Sequence, residues 1–116
     1  MTEIFDYNTG KLVFTWDGNI LKDLISSKNL CFLDGSHLKD FNSNRVLFLV
    51  DGNNIMDYYS NRIRFVWEGE ILRDYDSGKL LFQVDRNILR DYQTGRNLFN
   101  WNGIMSKATL VYILTI

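Results

Sequence analysis

An aspartate returns every seventeen residues along this chain, at Asp6, Asp23, Asp40, Asp57, Asp74 and Asp91. Six blocks follow without a slip: 6–22, 23–39, 40–56, 57–73, 74–90 and 91–107, with a tail at 108–116. A unit this short cannot bury its own apolar face, so neighbouring units must share one core. The 116 residues therefore make a single repeat domain over 1–116.

Numbering each block 1–17 from its aspartate, positions 6–11 read as a strand, as in Lys79–Val84. Positions 12–13 are Asp17-Gly18, Asp34-Gly35 and Asp51-Gly52 in the first three blocks. Asp-Gly between strand-like runs predicts a hairpin with a type I′ turn, which needs positive φ at both central residues. Positions 14–17 and the next 1–2 make the returning strand. Positions 3–5, such as Asn8-Thr9-Gly10, predict a three-residue loop closed by a left-handed residue in a G1 bulge. The odd period demands one bulge per repeat, because a slip of one residue would turn every side chain to the other face.

Positions 9, 11 and 16 then share a core face. They hold Phe14, Cys31 and Phe48 at 9, Trp16, Trp67 and Trp101 at 11, and Leu21, Leu38 and Leu72 at 16. Position 6 is Lys or Arg in every block. A solenoid would stack these cations, and likewise the aspartates, about 4.8 Å apart, so a meander of hairpins is preferred. The expected fold is all-β: six tandem antiparallel hairpins, about 12–13 short strands, closed around an axis as a barrel, prism or flower to remove exposed edges. Met1–Phe5 resembles the end of a preceding repeat, and the apolar tail Ala108–Ile116 reads as a closing or interface strand that pairs with it.

The run F-x-W-D-G-x-x-L at Phe14–Leu21 resembles the short hairpin repeats of bacterial four-fold β-flower proteins. That resemblance implies a closed hairpin ring and no particular activity. The present chain has six repeats instead of four.

Net charge is −1, which gives no electrostatic support for nucleic-acid binding. The tail is shorter than the roughly twenty residues of a membrane span, and without a signal-peptide pattern the chain is expected to be cytoplasmic. A single cysteine, Cys31, excludes an intrachain disulfide framework. The repeated aspartates read as turn caps or ion-pair partners. Neither they nor the lone His37 supplies a metal-ligand set, so no cofactor, metal or catalytic residue is assigned.

These features predict a non-enzymatic scaffold for protein interaction or self-assembly, with another protein or a homo-oligomer as partner. The alternative is a small carbohydrate-binding, lectin-like module stacking sugars on Trp16, Trp67 and Trp101. Departures from the repeat in Ile25–His37 and in Met105–Ile116 mark His37, Leu110, Tyr112 and Leu114 as candidate interface residues.

Overall fold

A computed structural model describes residues 1–116. Twelve strands precede one helix. They are β1 (Thr2–Asp6), β2 (Leu12–Trp16), β3 (Ile20–Asp23), β4 (Lys28–Asp34), β5 (His37–Asp40) and β6 (Val46–Asp51). Then come β7 (Asn54–Asp57), β8 (Arg62–Glu68), β9 (Ile71–Asp74), β10 (Leu80–Asp85), β11 (Ile88–Asp91) and β12 (Asn97–Asn102). Helix α1 spans Lys107–Thr115. Every strand pairs antiparallel with its chain neighbours, and β1 pairs with β12, so the sheet closes into a barrel without an edge. The envelope is a thick disc of 36 × 34 × 20 Å.

Five hairpins are covalent. The sixth joins β12 to β1 from opposite ends of the chain. Its seam is clasped by Thr2 Oγ1, which donates to the Ile104 carbonyl at 2.7 Å, and by the Glu3 amide, which donates to Asn102 Oδ1 at 3.1 Å.

The turns differ from the sequence expectation by one residue. In the second hairpin Asp34 pairs with His37, so the turn is Gly35-Ser36 and not Asp34-Gly35. Only its first central residue has positive φ, as at Gly35 (60°), Gly52 (61°), Gly69 (60°) and Arg86 (60°). That is the signature of type II′, in which glycine serves the first central position.

At the other end of the disc the loops hold four residues and not three. The Asp91 amide donates to the Arg96 carbonyl and the Gly95 amide to the Asp91 carbonyl, enclosing positions 2–5. The one bulge per repeat is present, but mid-strand. The register shifts once in each of the six strand pairs that meet at a four-residue loop, as where Leu80 faces Arg73 and Phe82 faces Leu72, leaving Leu81 extra. The hairpin-turn pairs keep register throughout.

The barrel lumen is the core. Position 16 supplies Leu21, Leu38, Ile55, Leu72 and Leu89, and Ile4 completes the ring; all six are 0–1% exposed. Trp16, Trp67, Val84 and Trp101 at position 11 lie beside them. Phe14, Phe65, Phe82 and Phe99 at position 9 are partly buried against this cluster.

The tail is not a strand. It forms α1 and fills the lumen, with Ala108, Thr109, Leu110, Val111 and Ile113 buried. Ring closure by β1 leaves the tail no sheet edge to join. Its free backbone groups must then be satisfied internally once buried, which a helix does. Ser106 caps it, accepting the Thr109 amide on Oγ at 3.3 Å. Lys107 pins its first turn to the β8–β9 hairpin, donating to the Gly69 carbonyl at 2.7 Å with its ammonium 5.2 Å from the Trp67 ring centroid. The helix is apolar nearly all round because nearly every face of it meets barrel wall.

Candidate functional site

The repeated aspartates organise loops. Asp6 accepts the Asn8 amide, Asp23 the Ile25 amide and Asp91 the Gln93 amide through Oδ1. Asp40, Asp57 and Asp74 take hydroxyl bonds from Ser43, Ser60 and Ser77 at 2.9, 2.6 and 2.7 Å. These bonds hold the three carboxyls below the ordinary carboxylate range. The Ser43 amide leads at Asp40, and the serine hydroxyl leads at Asp57 and Asp74. No group of three His, Cys, Asp or Glu is placed to hold a metal ion.

The other sequence candidates fall mostly inside the molecule. Trp16, Trp67 and Trp101 are 4, 2 and 7% exposed, so none presents the open ring face that sugar stacking requires. Leu110 is buried in the lumen and Tyr112 and Leu114 pack partly against it, where they serve the core and not an outer interface. Burial pushes the Cys31 thiol up to about 12, which leaves it protonated and inert at neutral pH. Burial also raises the Tyr112 phenol, with Cys31 and Asp40 adding to it. Cys31 stands where the other repeats carry phenylalanine.

His37 is the exception. It is half-buried on the outer wall with its ring edge-on to Tyr58, centroids 5.4 Å apart. Tyr58 meets Tyr59 at 5.3 Å, and the Arg45 guanidinium lies 4.9 Å from the Tyr59 ring centroid. This ladder of four side chains runs over repeats 2 to 4, and Tyr59 is 59% exposed.

The same place departs from the repeat in its backbone. In the five sister repeats the amide at position 2 donates to the carbonyl at position 8 of the preceding one, as from Tyr75 to Arg64 and Tyr92 to Leu81. Tyr58 makes no such bond to Leu47. The β6–β7 hairpin also ends one pair early, at Leu49 and Met56, whereas Phe65 pairs with Asp74 and Phe82 with Asp91. The strands part where Tyr58 turns toward His37.

On the other side of the 57–61 loop lies a cavity of about 320 Å³, lined by Asp57, Ser60, Arg62, Ile63, Arg64 and Asp76. Arg64 stands at position 8, where the sister repeats have Val13, Leu30, Leu47, Leu81 and Leu98. Its guanidinium lies 5.2 Å from the Phe65 ring centroid and 5.8 Å from that of Phe48. Sequence reading had not singled out Tyr59 or Arg64. The signal was present as one aromatic among polar and aliphatic residues at position 3, and one cation among aliphatics at position 8.

Two further cavities flank the Gly103–Met105 crossover at the opposite end of the disc. The larger, about 570 Å³, opens between Thr2, Trp16 and Ile104. The smaller, about 260 Å³, lies between Arg86, Trp101 and Leu110. Both mark the seam where a covalent turn is missing.

No helix of the molecule is long and apolar enough to cross a membrane. Comparison with protein-family models, curated proteins and solved structures gives no match.

Proposed function

We propose that the protein is a non-enzymatic scaffold that docks another protein through the outer surface of repeat 4. The observation that carries this is the coincidence at the 57–61 loop of a lost backbone bond, a shortened hairpin and an exposed aromatic ladder. A repeat that departs from its sisters only to serve the core would turn its side chains inward. Here Tyr58 and Tyr59 turn outward beside Arg45, and tyrosine and arginine are the residues that anchor protein interfaces. The inert Cys31 and the inward tryptophans support the same reading over an enzyme or a sugar-binding module.

Site-specific photocrosslinking tests it, with a photoreactive phenylalanine analogue at Tyr59 and, for comparison, at Tyr92 in a sister loop. The reading expects a discrete adduct from position 59, in the cells that make the protein, that position 92 does not give. An adduct of twice the chain mass would identify self-assembly. Equal or absent labelling at the two positions overturns the reading.

A further inference from the structure

The seam that closes the barrel carries a chemistry of its own. Asn102 is followed by Gly103, the only Asn-Gly pair in the chain. Both residues are exposed, and the Gly103 amide has no hydrogen-bonded partner. A glycine nitrogen has no β-carbon beside it to hinder its approach to the preceding side chain. Across the seam Asn102 faces Glu3. The Glu3 amide donates to Asn102 Oδ1 at 3.1 Å, and Asn102 Nδ2 donates to Glu3 Oε1 at 3.4 Å. The first of these bonds polarises the carboxamide, and it stabilises the oxyanion that forms when a nucleophile adds to Cγ.

The five sister repeats hold an acid at this position: Asp17, Asp34, Asp51, Glu68 and Asp85. In repeats 2 to 5 that acid faces His37, Asn54, Ile71 or Ile88 across its hairpin, and none of these is a carboxylate. Only at the seam would an acid stand opposite another acid, which destabilises a strand pair. An amide suits the seam, and the acid made from it does not.

We infer that Asn102-Gly103 is a self-modifying site that loosens the barrel seam as the protein ages. The Gly103 nitrogen attacks Cγ of Asn102. A new C–N bond forms, the Cγ–Nδ2 bond breaks, and the Gly103 proton leaves with Nδ2 as ammonia. Water then opens the succinimide ring. Addition at Cγ gives aspartate. Addition at the main-chain carbonyl carbon gives isoaspartate, which lengthens the backbone by a methylene. Either product sets a carboxylate against Glu3 and removes the Nδ2 donor. Isoaspartate also shifts Gly103 and Ile104 against Thr2, whose hydroxyl holds the Ile104 carbonyl at 2.7 Å.

The test ages the full chain in mildly alkaline buffer made with oxygen-18 water and reads it by peptide mass mapping, with isoaspartyl methyltransferase to detect isoaspartate. Label is expected at Asn102 ahead of the other asparagines, while circular dichroism still shows folded protein. The aged fraction should melt at a lower temperature than the fresh one. Asn102→Asp should show a similar fall, and combining it with Glu3→Gln should recover most of the loss. Asn102→Gln, whose longer side chain closes the ring far more slowly, should age without loss of amide or of melting temperature. An unlabelled Asn102 in the folded chain, or labelling led by another asparagine, overturns the site. Labelling at Asn102 with an unchanged melting temperature, or a fall in Asn102→Asp that Glu3→Gln does not recover, overturns its effect on the seam.

Discussion

Arg86 occupies the first turn position, at φ 60°, where the four sister hairpins have glycine. A side chain in the left-handed region costs about 1–2 kcal/mol, and Arg86 makes no ion pair that would offset it. Arg86→Gly is expected to stabilise the fold by about 1 kcal/mol in urea titrations, net of the greater freedom of glycine in the unfolded chain. Gly103 is the opposite case. Its φ is 103°, and an added Cβ would lie 2.7 Å from Thr2 Oγ1 at the seam. Gly103→Ala should cost more than Gly95→Ala, which has open space around it, and comparison of the two melting temperatures checks this. At this scale the core was largely legible, since alternation placed positions 11 and 16 correctly. Position 9 proved only half-buried in four repeats.

The four-residue loops and the helix are the elements that chemistry can probe separately. Ser43, Ser60 and Ser77 depress the folded-state pKa of Asp40, Asp57 and Asp74. A depressed carboxyl contributes stability above its unfolded value, near 3.8, and that contribution disappears as pH falls through the lower folded value. Replacing the three serines by alanine should therefore lower the urea midpoint at pH 7 and leave a smaller difference at pH 2. An unchanged gap across that range would exclude the carboxylates as the cause. In α1, Leu110→Ala removes a buried side chain from the lumen and is expected to cost about 2–5 kcal/mol by denaturant unfolding. The tail read as a strand because Thr, Val and Ile favour strands and because no amphipathic period marked it. Both signals presume a solvent-facing side, and a helix sealed inside a barrel has almost none. The turn type was misjudged for a related reason: Asp-Gly names the residues of a turn, but strand pairing decides which of them stands at its apex.

As a whole molecule the barrel is held by closure and filling together. Strand number, antiparallel meander and closed ring were legible from the period, because a repeat of alternating strands leaves edges that only a ring removes. The filling was not legible, because nothing in a six-fold pattern announces the one segment that breaks it. Deleting residues 108–116 is expected to expose the lumen and give a state that binds hydrophobic dyes and melts without a sharp transition, measurable by calorimetry. The lumen also bears on how such a chain can change over generations. An open array of repeats lengthens or shortens by whole units, each copy stacking on the last. Here the inner girth must match the cross-section of one helix. A duplication in the gene would leave a void around α1, and a loss would leave no room for it. The helix acts as a gauge that fixes the count at six, so the room for difference lies in substitution within the repeats, such as those that set Tyr59 and Arg64 apart from their counterparts.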